Sequence, residues 1–267
     1  LHLSIRRQRQ MCIRDRADGM WAQCQRMHDF FLREMADNAD IVRHCRTGGE
    51  VDVTVVEGKV AALLSIEGAD LIDCDVHKIE TVSGWGVRLL NPVWNRANVL
   101  SGTNAEEPER GLSAEGRDFI HVLEEHEIYP DVSHLSDAGF WDLVRMAKRP
   151  IVASHSNARA VCPHRRNLTD DQFRAIRDLG GVVGLNLYLD FVGQPTMDAL
   201  AAHVEHFLNL NGEKTVCLGG DLDGCEALAA GMTGMQDAPK LYDALKARGY
   251  SEALLEDIFW NNLRRLI

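Results

Sequence analysis

Ile128-Tyr-Pro-Asp-Val-Ser-His-Leu-Ser136 and, one helical stretch later, Pro150-Ile-Val-Ala-Ser-His-Ser-Asn157 are the two stretches on which the fold turns. Each begins with a short apolar or β-branched run and precedes residues of helical period. The two histidines, His134 and His155, therefore fall at the C-terminal ends of predicted strands, one strand–helix unit apart. In a parallel α/β protein neighbouring strand ends converge on one site. A lone histidine at a strand end is more often a hydrogen-bonded rim residue. Two in adjacent units, flanked by small serines that leave room around the ring, point to a metal centre, because neutral imidazole is the commonest metal ligand.

Outward from this pair the same pattern repeats from Val60 onward: apolar strand, polar or glycine-containing site, amphipathic helix. Strands are predicted at Val60–Ile66, Gly86–Pro92, Glu127–Val132, Pro150–Ser154, Gly181–Tyr188 and Thr215–Gly219. Such Val-, Ile- and Leu-rich runs suit strands buried on both faces. Thr169-Asp-Asp-Gln172 reads as a capping box, and Thr196 and Ser251 as caps of later helices. Leu200, Val204, Phe207 and Leu208 form the inner stripe of the helix after Thr196. Strand–helix alternation implies a parallel sheet with right-handed crossovers. Six such α/β units are visible, two short of a closed eight-stranded barrel. Ala17–Arg46 reads as helical with no strand before it, and Leu100–Gly111 and Ala227–Ala238 read as surface loops. No Pro- or Gly-rich linker interrupts 60–267, so residues 17–267 are expected to form a single domain.

The composition, 45% hydrophobic and 26% charged, is that of a globular protein. A formal net charge of −11 leaves no basic stripe for phosphates and argues against nucleic acid. No apolar run is long enough to span a bilayer, and no signal-peptide core is seen. The 7 cysteines form no C-x-x-C pair and are odd in number, which favours reduced thiols and a cytoplasmic setting.

The strand-end residues are Glu67, Trp94 with Asn95, His134, His155, Tyr188 and Asp221. One Glu, two His and one Asp at corresponding positions make a set of carboxylate and imidazole donors suited to Zn²⁺ or a similar ion. Alternatives stay open for several of them. Glu67-Gly68 also suits a helix cap or a turn, and Asp221-Leu-Asp-Gly224 resembles a calcium-loop fragment without the acidic pattern of an EF-hand. Arg166 follows His155 closely enough to overhang its site and to grip a substrate carboxylate with two hydrogen bonds, or it is one of an exposed arginine pair. His77, His121, His126, His203 and His206 fall on predicted helices or loops and are expected at the surface.

Several stretches resemble the zinc-dependent membrane (renal) dipeptidase family: Ile66-Glu-Gly-Ala-Asp70, Gly86-Val-Arg-Leu-Leu90, Asp131-Val-Ser-His-Leu-Ser-Asp137, Ala153-Ser-His-Ser-Asn-Ala-Arg159, Arg165-Arg-Asn-Leu-Thr-Asp-Asp-Gln172, Gly180-Gly-Val-Val-Gly184, Leu218-Gly-Gly-Asp-Leu-Asp-Gly224 and the closing Asn261-Asn-Leu-Arg-Arg-Leu266. The likeness spans about residues 17–267 and implies an α/β (β/α)8 TIM barrel of metal-dependent hydrolase type, its first two strands absent here, with a binuclear zinc site acting on dipeptides. On that resemblance Glu67 bridges the two ions, and His134 and His155 complete the second. Asp221 handles the proton, Arg166 takes the terminal carboxylate, and a metal-bound hydroxide attacks the peptide carbonyl. A homodimer is compatible with the reading.

Two departures stand out. The family's first strand ends in His-x-Asp, which supplies the other zinc ligands, and no His-x-Asp occurs here; His28-Asp29 has the wrong spacing. Trp94 stands where the family often has a substrate-contacting histidine. The stretch Met11-Cys-Ile-Arg-Asp-Arg16 resembles a translated sequencing-library adapter, so residues 1–16 are expected to be a non-native leader and the first two strands to be absent; a diverged natural N-terminus is the alternative. One zinc at most is then supported by the chain as it stands. The competing functions are a metal-dependent amidohydrolase acting on acylated amino acids or lactams, and a non-catalytic single-metal binding homologue.

Overall fold

The computed structural model describes residues 19–222 and 224–267; the expected leader, residues 1–16, and Asp223 lie outside them. The chain groups into two compact units, one running to Arg149 and including Ile267, the other Pro150–Leu266. In both, every pairing between strands is parallel, and strands alternate with helices as an α/β barrel-type fold requires.

The first unit opens with helix α1, Met20–Asp37, followed by strand β1, Val42–His44. Helix α2, Gly48–Val56, is capped by Thr47, whose hydroxyl accepts the Glu50 N–H. Next come β2 (Val60–Ala62), β3 (Leu64–Glu67), α3 (Ile79–Gly84), β4 (Val87–Asn91), α4 (Ala114–Glu125), β5 (Tyr129–Pro130) and α5 (Asp137–Met146). Strand β1 pairs with β2, and β3, β4 and β5 form a second sheet in that order. Leu90, Phe119, Ile120, Leu123, Phe140 and Leu143 fill the core beneath it. Helix α1 is fastened by aromatic stacking: Trp85 lies parallel to Trp21 at 5.3 Å and to His28 at 4.0 Å.

The second unit contains β6 (Val152–Ala153), α6 (Asp170–Asp178), β7 (Val182–Asn186), the short α7 (Leu189–Val192), α8 (Met197–Leu208), β8 (Val216–Gly220) and α9 (Ala238–Ala247). It closes with α10 (Glu252–Glu256), a π-helical turn at Asp257–Asn261 and α11 (Asn262–Leu266). The capping box forms as expected, with Thr169 and Gln172 bonding each other's backbone N–H. Thr196 and Ser251 also cap their helices. The sheet order is β6-β7-β8. Its strands approach so closely that a Cβ on Gly219 would lie 2.1 Å from the Ser154 carbonyl oxygen, and one on Gly184 2.0 Å from it. Glycine is needed there for space, and the Ser154–His155 peptide is fixed as a result.

Four expectations need correction. The predicted strand Val60–Ile66 is two segments, β2 and β3, broken at Leu63. The region read as wholly helical, Ala17–Arg46, contains β1, a three-residue strand held by pairing with Val60–Ala62. The strands at 127–132 and 150–154 shrink to two residues each; Pro130 has no N–H to extend its ladder. His203, expected at the surface, is fully buried, and His206 is partly covered beside Asp170.

His203 accepts a hydrogen bond at Nδ1 from the Ala158 N–H, 3.2 Å away, and donates from Nε2 to the Val192 carbonyl at 3.2 Å. That pattern fixes a neutral imidazole, and burial pushes its pKa down to about 4. The unfolded group titrates near 6.5, so its contribution is complete above that pH and is lost as the pH falls toward 4. Urea unfolding should show wild type losing about 3 kcal/mol more than His203→Gln between pH 8 and pH 4. Equal losses in both chains would count against the buried neutral ring.

Candidate metal centre

Glu67 is the last residue of β3, paired in register with Asn91 at the end of β4. Its Oε1 lies 3.1 Å from Nε2 of His134. His134 is buried, whereas the Glu67 side chain keeps 30% of its exposure. The imidazole stands four residues past β5 and is aimed by a local turn. The Asp131 carboxylate accepts the Ser133 N–H at 3.0 Å, and the Asp131 N–H continues the sheet by donating to the Leu90 carbonyl. Asn104 N–H donates to the His134 carbonyl, and its side-chain amide to that of Leu135. The ring is thus held from both sides of the chain while its Nε2 faces a carboxylate. An imidazole nitrogen opposed to a carboxylate oxygen, with one edge open to solvent, is a donor pair that fits a divalent cation in place of the shared proton.

His155 follows β6 in the second unit and is buried. Its Nδ1 is 2.7 Å from Ser154 Oγ, so any metal role falls to Nε2. Asp221 follows β8 with φ of 53°, a left-handed conformation that aspartate tolerates better than most side chains. Asn186, fully buried at the end of β7, connects these two. Its Nδ2 donates to the Asp221 carboxylate and to the His155 carbonyl, both at 3.2 Å. Its Oδ1 accepts the Tyr188 N–H at 2.7 Å, which accounts for the backbone at Tyr188. The Tyr188 hydroxyl is pushed up in pKa by its hydrogen bond with Asp190.

Arg166 is buried rather than one of an exposed pair. Its Cζ lies 5.4 Å from the Phe191 ring centroid, and its backbone N–H donates to Nδ1 of His164. Trp94 and Asn95 sit on the loop after β4, both exposed; a Cβ on Gly68 would be 3.1 Å from the Trp94 Cβ, which places the tryptophan backbone directly beside Glu67's neighbour. The structure therefore joins Glu67 to His134 in one unit, and His155 to Asp221 through Asn186 in the other. Asp131, Ser154, Asn186 and Phe191 were not singled out from sequence as site residues. The first two were legible as small polar neighbours of the histidines; the other two had no signal of their own.

Holding a metal-binding histidine by its second nitrogen typically changes affinity 10–100-fold. With His155 as a metal ligand, Ser154→Ala is expected to weaken metal binding by about that factor in a competitive chelator titration. An unchanged affinity would remove Ser154 from the account.

Carboxylate and imidazole donors at the ends of parallel strands define a metal-dependent hydrolase of the barrel class. Residues 11–267 match the membrane dipeptidase family, peptidase family M19, and the chain belongs to it. It is 34% identical to an uncharacterised protein from the region 5′ of pqqA in Klebsiella pneumoniae, over 95% of this chain and 96% of that one. An uncharacterised dipeptidase of Schizosaccharomyces pombe is 32% identical over 70% of this chain, and the match spans 47% of that protein, about half its length. A crystal structure of a metallo peptidase from Rhodobacter sphaeroides, liganded with a phosphinate mimic of the dipeptide L-Ala-D-Ala, superposes with a TM-score of 0.87 at 31% identity, covering 92% of this chain and 74% of that one. Among the described residues no helix is long and apolar enough to cross a membrane.

Proposed function

We propose that this chain is a zinc-dependent dipeptidase whose metal is held by Glu67, His134 and His155. The observation that carries the reading is the 3.1 Å pairing of Glu67 with His134 at the strand ends of a membrane dipeptidase family chain. His155 is assigned as the third ligand because it follows β6 as His134 follows β5, with Nδ1 engaged by Ser154. Zinc is inferred from the mixed imidazole and carboxylate donors. No His-x-Asp occurs in the 267 residues, so the assignment covers the one ion that these ligands define.

When bound, the ion supplies Lewis-acid polarisation of the scissile carbonyl and lowers the pKa of water to about 7. The remaining work falls to the chain's own side chains. Arg166 holds the substrate's terminal carboxylate through two parallel hydrogen bonds from its planar fork. Asp221, with one carboxylate oxygen fixed by Asn186, takes up a proton and returns it to the leaving amine nitrogen. Trp94 and Asn95, exposed on the loop after β4, are assigned to substrate contact. Tryptophan has no acceptor atom, so Trp94 offers the substrate a ring face or its indole N–H. The dipeptide class is supported by the ligand of the Rhodobacter sphaeroides relative. The six free cysteines among the described residues support a cytoplasmic setting.

A panel of dipeptides and N-acetylated amino acids, offered to the zinc-loaded chain, tests the reading. Dipeptides should be cleaved, with activity lost to a chelator and restored by zinc. Turnover that survives chelation, or that is confined to the acylated amino acids, contradicts it. Zinc bound without any turnover favours the single-metal binding homologue, a reading prompted by the missing His-x-Asp.

A further inference from the structure

The Arg166 guanidinium has a feature that carboxylate binding alone does not explain. Arg166 keeps 8% of its exposure as a residue, and its guanidinium lies over an aromatic ring, with Cζ 5.4 Å from the Phe191 centroid. Burying a guanidinium is costly unless its charge is compensated. A ring face within about 6 Å supplies part of that compensation and does so without occupying the N–H fork.

Phe191 is itself locked in place. It lies on α7, its backbone N–H donates to the Tyr188 carbonyl at 3.0 Å, and its carbonyl accepts from the Asn167 side chain at 2.9 Å. The Tyr188 ring meets it edge-on at 4.9 Å, and the His164 ring lies against it at 4.6 Å. Burial and the neighbouring Arg165 and Arg166 charges lower the His164 pKa, so that ring is neutral at pH 7 and does not repel the guanidinium. Asn167 also holds the turn after Arg166, donating from Nδ2 to the Cys162 carbonyl at 2.9 Å. One asparagine therefore ties the arginine's turn to the ring beneath it.

We propose that Phe191 is the positioning residue for the Arg166 guanidinium, and that it thereby sets the site's affinity for substrates with a free C-terminal carboxylate. The inference rests on the reading of Arg166 as the carboxylate-binding group. An aliphatic side chain of similar volume would fill the space without a ring face for the guanidinium, whereas a tryptophan would preserve that face.

Calorimetry on the zinc-loaded chain, with a phosphinate mimic of alanyl-alanine and its C-terminal amide, tests this alongside the Arg166 Nε–H resonance by NMR. Phe191→Leu should raise the dissociation constant of the acid about 10-fold and that of the amide less than about 2-fold. The Nε–H resonance, shifted upfield by the ring current in wild type, should return toward its ordinary position in Phe191→Leu and stay shifted in Phe191→Trp, which also keeps tight binding. If Arg166→Met weakens binding of the acid but Phe191→Leu moves neither binding nor resonance, the platform is overturned and the carboxylate reading stands. Equal weakening of acid and amide in Phe191→Leu also overturns it, since a general structural defect would do that. Should Arg166→Met leave the acid's affinity unchanged, the carboxylate reading itself fails and the proposal goes with it.

Discussion

His134→Ala is expected to lower dipeptide turnover by about 10³-fold or more, a loss on the order of 4 kcal/mol in transition-state stabilisation. The ring is buried and its Nε2 opposes Glu67 at 3.1 Å, so alanine removes the proposed ligand and leaves the carboxylate facing a hole. The turn that presents residue 134 is built from backbone and the Asp131 carboxylate, and neither depends on the imidazole. The variant should therefore stay folded, with circular dichroism like wild type and zinc content reduced. Activity within about 10-fold of wild type would show that His134 is not a ligand that the reaction needs.

The second large effect concerns stability. Gly219→Ala would drive a Cβ to 2.1 Å from the Ser154 carbonyl oxygen and 2.8 Å from the Gly184 carbonyl carbon. Both obstacles are backbone atoms of the neighbouring strands, so no side chain can swing away to relieve them. Overpacking of this kind costs about 3 kcal/mol or more, which for a chain of this size lowers the melting temperature by roughly 6–12 °C. Because Ser154 precedes His155, the displaced peptide should also weaken zinc binding in whatever fraction stays folded. A melting curve that overlays wild type would mean that the strands can separate without cost.

What the sequence disclosed and what it concealed have physical reasons. His134 and His155 were legible because a strand end is announced by an apolar run that stops at a polar residue, and Thr169 and Gln172 because a capping box is a local contract between residues three apart. Strand β1 was not legible: Val-Arg-His has no apolar alternation, and it is a strand only because Val60–Ala62 pairs with it. His203 had a signal that its polarity masked. It occupies the i+3 position after Leu200, on the same face as Val204 and Phe207, and all four are buried. Asn186 and Phe191 take their places in the site from contacts with Asp221, 35 positions away, and Arg166, 25 positions away along the chain, which no local pattern encodes.

Everything proposed for catalysis depends on Glu67, His134 and His155 holding one divalent ion. Crystals of the zinc-loaded chain, measured on either side of the zinc absorption edge, locate that ion directly. An anomalous peak bounded by the Glu67 carboxylate and the Nε2 atoms of His134 and His155 is expected. Zinc bound elsewhere, with those three side chains making no contact to it, would contradict the claim.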